Sequence, residues 1–157
     1  MGNADRSKTP SANAYDLLQQ EIHELKKANH ELQKTIKDLK ESGKFFKAIT
    51  QNSTDIIIIV NKTGQITYVN PAIERLMGYV PEEMIGKSAF DYISKTDLPR
   101  AIYDFGKAVL TKSSVIPNFF GVKHKDGTIR ILEGVGKSMF DNPAVKGFVM
   151  NVRDVTQ

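Results

Sequence analysis

The chain has 157 residues, no cysteine and a formal charge of +4, which suits one domain plus an appendage and excludes disulfides, thiolate nucleophiles and cysteine-held metals. Acidic and basic residues are interspersed without a basic stripe, so the charge speaks for a solvated surface and against a nucleic-acid partner. The longest aliphatic run, Ile56 to Val60, is far short of the roughly 20 apolar residues that span a bilayer, so no membrane insertion is expected. The first ten residues hold no hydrophobic stretch of a secretory signal, and a cytoplasmic location follows as the expectation.

Residues 1–13, rich in Ser, Asn, Ala and Lys, read as a flexible tail. Over residues 14–42 a seven-residue repeat takes over. Leu18, Leu25, Leu32 and Leu39 occupy d positions, and Tyr15, Ile22, Asn29 and Ile36 the a positions. Such a repeat predicts a left-handed coiled coil, and Ile at a with Leu at d favours two parallel strands. Asn29, costly at a, finds its best partner in the same Asn across a parallel dimer axis. A homodimer through Leu18, Ile22, Leu25, Asn29, Leu32, Ile36 and Leu39 is therefore expected. Both His23 and His30 begin a His-Glu-Leu triplet. The first, with Lys26, resembles a phosphoacceptor box, but the heptad puts both histidines at b, on the wet face. Glu41-Ser42-Gly43 is expected to end or bend the repeat. Phe45, Phe46 and Ile49 then offer a new apolar face, expected to dock on the domain that follows.

From residue 44 to 157 the pattern becomes mixed. Asp55–Val60 is a β-branched run and predicts a buried strand. Asn61-Lys62-Thr63-Gly64 predicts a hairpin turn, and Gln65–Val69 a second strand. Asn70 stands as N-cap before Pro71, with a left-handed cap at Gly78. Pro81-Glu82-Glu83 opens a short helix with acids at its positive end. Thr96 or Asp97 opens a longer one with the stripe Leu98, Ile102, Phe105 and Val109. Three strands follow: Val115–Lys123, Thr128–Met139 and Gly147–Arg153, the first two joined by the turn Lys125-Asp126-Gly127.

Four stretches carry a resemblance. They are Asn61-Lys62-Thr63-Gly64-Gln65-Ile66-Thr67-Tyr68-Val69-Asn70-Pro71-Ala72; Glu74 to Tyr79 with Glu82 to Lys87; Lys125-Asp126-Gly127; and the closing Asp154-Val155-Thr156. In this order and spacing the segment resembles the PAS family of sensory domains. The resemblance implies an α+β fold: a five-stranded antiparallel sheet with helices on one face, here preceded by a long coiled-coil helix. It also implies a non-enzymatic relay. The expected setting is a cytoplasmic sensor histidine kinase, diguanylate cyclase or similar regulator, two-component systems among them, of which this chain would be a fragment. A downstream output domain or partner protein would receive the signal through Phe45, Phe46, Ile49, Asp154, Val155 and Thr156. Two alternatives stand beside this: a small-molecule or cofactor sensor, and a stand-alone adaptor that binds a protein partner.

The residue inventory narrows the cofactor. A flavin adduct of the light-sensing type needs a cysteine near Ala89, and there is none. Haem-binding relatives usually take a histidine from the long helix, whereas the domain's only histidine, His124, precedes a turn. Gly134 and Gly136 lie within a strand, which fails the context of a dinucleotide loop. No catalytic set and no metal site is expected. The resemblance implies room for a small apolar ligand between sheet and helices; Ile57, Ile59, Phe90, Tyr92, Ile93, Leu98, Ile102, Phe105, Phe119 and Met139 are the candidates to line it, the alternative being that they simply pack the core.

Overall fold

The computed structural model describes residues 11–112 and 115–156. The expected tail lies outside the described residues up to position 10, and positions 12 and 13 are already helical. The chain divides into two units, residues 1–46 and 47–157.

The first unit is the greater part of helix α1, Ala12–Gln51. The helix is continuous through Ser42 and Gly43, contrary to the expected break. A single glycine costs a helix only about 1 kcal/mol, which forty residues of otherwise good helix formers absorb. The hydrophobic heptad residues from Tyr15 to Leu39 are 44–66% exposed, so the apolar stripe of this helix faces outward along its length.

The second unit is built on one antiparallel sheet. Its strands are β1, Ile56–Val60; β2, Ile66–Val69; β3, Val115–Lys123; β4, Ile129–Met139; and β5, Gly147–Asp154. They lie in the order β2-β1-β5-β4-β3. The last strand made is thus the middle one, antiparallel to β1 on one side and β4 on the other. The pairing of β1 with β2 slips at Ile59/Val60. Between β2 and β3 run α2, Ala72–Met77; α3, Pro81–Met84; a one-turn 3-10 helix, Ala89–Tyr92; and α4, Leu98–Thr111. Gly78 closes α2 at φ 75°, a conformation that costs an L side chain energy, and its N–H donates to the Glu74 carbonyl.

Alternation sets which side of the sheet meets the helices. Ile56, Ile58 and Val60 are buried, while Ile57 and Ile59 are half-buried on the other face. Leu132 and Phe148 join the same buried cluster from β4 and β5, with Ile66, Ile73, Met77 and Met84 from β2 and the short helices.

Two polar residues at helix starts spend their side chains elsewhere. Asn70 does not cap α2. Its side chain is fully buried, accepts from the Ile57 N–H at 2.9 Å, and donates to the carbonyls of Thr50 at 3.0 Å and Asp55 at 3.1 Å. Asp97 opens α4 from its N-cap position as expected, but its side chain makes no cap bond there. Its carboxylate accepts from the Gly121 N–H at 2.8 Å and the Ser94 hydroxyl at 2.9 Å. These bonds, that of Gly121 foremost, hold its pKa below the usual carboxylate value. The reason is shared: a backbone group inside the domain has no water to turn to, whereas the first turn of a surface helix does.

Candidate functional site

An apolar cavity of about 150 Å³ lies between the sheet and the helices of the second unit. Its floor is Ile56, Ile58 and Val60 of β1, Phe148, Met150 and Val152 of β5, Leu132, Gly134 and Gly136 of β4, and Phe120 and Val122 of β3. Ala101, Asp104 and Phe105 of α4 face it from above, with Phe90, Tyr92 and Ile93 from the 3-10 turn and its exit.

Three rings brace this space. Phe105 meets Phe90 edge-on at 5.5 Å between centroids and Phe148 at 5.9 Å, separations in the favourable range for T-shaped pairs. Gly136 makes room for the third ring, since a Cβ there would fall 2.2 Å from Phe148 Cε1. Tyr92 stands edge-on to Tyr79 at 5.0 Å, and burial raises the pKa of both phenols.

Of the residues expected to line a pocket, the structure places Phe90, Tyr92, Ile93 and Phe105 on it. Six lie elsewhere. Ile57, Ile59 and Met139 have the opposite strand parity to the inward residues of β1 and β4 and belong to the other face of the sheet. Phe119 is 52% exposed, while its neighbour Phe120 lines the cavity. Leu98, at the start of α4, is half-buried but off the cavity, and Ile102 is 51% exposed. The inner face of α4 is Ala101, Asp104, Phe105 and Ala108, rotated by about one residue from the expected stripe. Small alanines let the helix approach the sheet, and a count of large aliphatics overlooks them. The sheet residues of β4 and β5 were missed although Phe148, Met150 and Val152 alternate in the sequence; that alternation was the available signal.

The expected relay residues fall in two places. Phe45, Phe46 and Ile49 are exposed on α1, so Ile49 does not dock as expected; the buried residue of the last turn is Thr50. At the other end Asp154 Oδ1 accepts from the Thr156 N–H at 2.9 Å and its hydroxyl. The Ile131 N–H donates to the same hydroxyl oxygen, and the Val155 N–H donates to the Ile131 carbonyl. Asp154-Val155-Thr156 is thereby stitched to β4. His124 lies off the cavity: its Nδ1 accepts from the Asp126 N–H and sits 2.9 Å from the Asp126 carboxylate. Among the described residues no group of His, Asp and Glu is placed to hold a metal ion, and no helix is long and apolar enough to cross a membrane.

A five-stranded antiparallel sheet roofed by helices around an apolar cavity is the architecture of a small sensory module. A family model described as the PAS fold matches residues 44–155, and the chain belongs to the PAS family, whose domains are sensory modules. Human basic helix-loop-helix ARNT-like protein 2 is 29% identical over 99 residues, which are 62% of this chain and 15% of that protein. Hybrid signal transduction histidine kinase L of Dictyostelium discoideum is 25% identical over 125 residues, 79% of this chain and 7% of that one. The chain thus spans a small fraction of the curated relatives it matches. Among solved structures, the PAS domain of an HTR-like protein from Haloarcula marismortui superposes with a TM-score of 0.64 at 22% identity, covering 78% of this chain and 99% of that one. The PAS domain of the Cronobacter turicensis RpfR quorum-sensing receptor, in complex with BDSF, gives 0.56 at 21% identity, covering 67% and 97%. Both are likenesses of fold. The chain is therefore a PAS-domain protein with relatives among signalling proteins.

Proposed function

We infer that this chain is the sensory and relay part of a larger signal-transduction protein and works as a homodimer paired in parallel through the heptad face of α1. An output domain or a partner protein receives the signal. The observation that carries this reading is the stripe from Leu18 to Leu39, 44–66% exposed on a helix of forty residues. An apolar stripe of that length is expected to find a partner, and a seven-residue period selects a second copy of itself. Asn29 in the stripe would set the register between the two copies.

The route from domain to helix runs through Asn70. This one amide bonds the Thr50 carbonyl in the last turn of α1 and the N–H of Ile57 on β1, the strand that floors the cavity. Arg75 adds bonds to the carbonyls of Gln51 and Ser53 just beyond. A shift of β1 therefore reaches the end of α1 through directed bonds rather than loose packing, and packed coils answer with discrete changes of register. Sedimentation equilibrium tests the reading. The chain should be a dimer at tens of micromolar, and Leu25→Glu with Leu32→Glu should make it a monomer with an unchanged β-sheet signature. A monomeric parent chain would overturn it.

A second reading rests on the cavity itself: the domain senses by taking a small ligand between sheet and helices. About 150 Å³ of apolar space is what a benzene-sized guest requires, and it is bounded by the same strand that Asn70 grips.

A further inference from the structure

The cavity is open because β4 puts little into it. Leu132, Gly134 and Gly136 share the inward face of that strand, and only the first has a side chain. At Gly136 the space is taken by the Phe148 ring. At Gly134 it is not: a Cβ there would meet only Val152 Cγ2, at 3.9 Å, an ordinary van der Waals contact. The backbone does not demand glycine at 134 either, since its φ lies outside the left-handed region. A β-branched residue would suit a strand better, and without one a space stays open that close packing would otherwise fill. The wall of this space is almost wholly carbon. The backbones of β1, β3, β4 and β5 are spent in the sheet ladder. Asp104 stands at the edge, but its Oδ2 accepts from Asn118 Nδ2 at 2.9 Å. That bond belongs to a polar seam toward β3, in which Asp97 accepts from the Gly121 N–H and Arg100 donates to the Phe119 carbonyl. Among the described residues no buried side-chain nitrogen or oxygen lacks a hydrogen-bond partner, so none waits for a polar group on a ligand.

We propose that the cavity takes an uncharged molecule with no hydrogen-bonding group, a hydrocarbon of about one ring, seated against Gly134 among Leu132, Phe105 and Phe148. The proposal rests on the sensing reading above and adds the class of ligand. Volume fixes the size, since a cavity of this order holds about one benzene ring. The wall fixes the chemistry. A hydroxyl, ammonium or carboxylate would give up its water and receive no hydrogen bond in return, which costs about tenfold or more in affinity for a hydroxyl and far more for an ion.

The test uses the full chain and NMR titration with three one-ring probes: toluene, phenol and benzoate. In the wild-type chain toluene should bind and shift the methyl signals of Leu132 and Val152. Phenol should bind about tenfold or more weakly than toluene, and benzoate should give no detectable binding. Gly134→Val, which places a side chain in the open space, should keep the sheet signature and lose toluene binding at least tenfold. Phenol or benzoate binding as tightly as toluene would overturn the ligand class and leave the sensing reading standing. Toluene that binds without moving the Leu132 and Val152 methyls, or that binds Gly134→Val equally well, would overturn the seat. Failure of all three probes to bind would remove the sensing reading and the proposal together.

Discussion

Asn70 shows how much one buried side chain decides in this fold. Its amide, itself fully buried, serves three backbone groups: the buried Thr50 carbonyl and the half-buried Asp55 carbonyl and Ile57 N–H. Leaving a buried donor or acceptor unmade costs about 1–3 kcal/mol, so Asn70→Ala should lower stability by about 3 kcal/mol, read from urea unfolding. The same variant should speed hydrogen exchange of the Ile57 amide well beyond what the global loss explains. Asp126 works at the surface by the same chemistry. Its carboxylate accepts from the Thr128 hydroxyl at 2.6 Å and the Thr128 N–H at 2.8 Å, and these bonds pull its pKa down to about 2. A carboxyl group that titrates lower in the folded chain than in the unfolded one stabilises the fold wherever it is ionised in both. The contribution is complete above about pH 4, near the ordinary Asp value, and is lost as the pH falls toward 2. The stability difference between the wild type and Asp126→Asn should therefore be constant near neutral pH and shrink between pH 4 and pH 2.

At the level of the element, α4 offers the sharpest contrast between reading a chain and seeing it folded. The inward positions are Ala101 and Ala108, 5% and 1% exposed, while Ile102 is 51% exposed. Ala101→Leu should destabilise by about 1–3 kcal/mol through overpacking, and Ile102→Ala should stay within about 0.5 kcal/mol, as surface changes do; thermal or urea unfolding of the pair decides it. The sequence made most of the strands and helices legible, because turn residues punctuate them: Asn61 to Gly64, Gly78, and Lys125 to Gly127 stand where the structure turns. The site was half legible. Phe90, Tyr92, Ile93 and Phe105 follow from their place in the chain order, but β1 is apolar at every position, so its composition says nothing about which of Ile56 or Ile57 points inward. That choice belongs to pairing with β5 and to what the helices cover, neither of which is local. The roles of Asn70 and Asp97 were hidden for the same reason: their partners, Thr50 and Gly121, lie 20 and 24 residues away.

For the whole domain the strand order matters most. The sheet consists of two hairpin-like pairs, β1 with β2 and β3 with β4, joined only by β5 between them. β5 carries the ladder on both sides, and Phe148 on it is 2% exposed beneath the rings of the cavity. Amides in the middle of β5 and β1 should thus exchange only by global unfolding, and those of the outer strands β2 and β3 sooner through local opening. Native-state hydrogen exchange would show this ranking, and equal protection across all five strands would contradict it.

The same strand order imposes a sequence of events on synthesis. A ribosome delivers β1 to β4 before the segment that must slide between them, so the nascent domain waits as two separate ribbons with open edges until Gly147–Asp154 emerges. Helix α1, by contrast, precedes all five strands in the chain. In the proposed dimer, neighbouring chains on one messenger would pair through α1 before their sheets were finished.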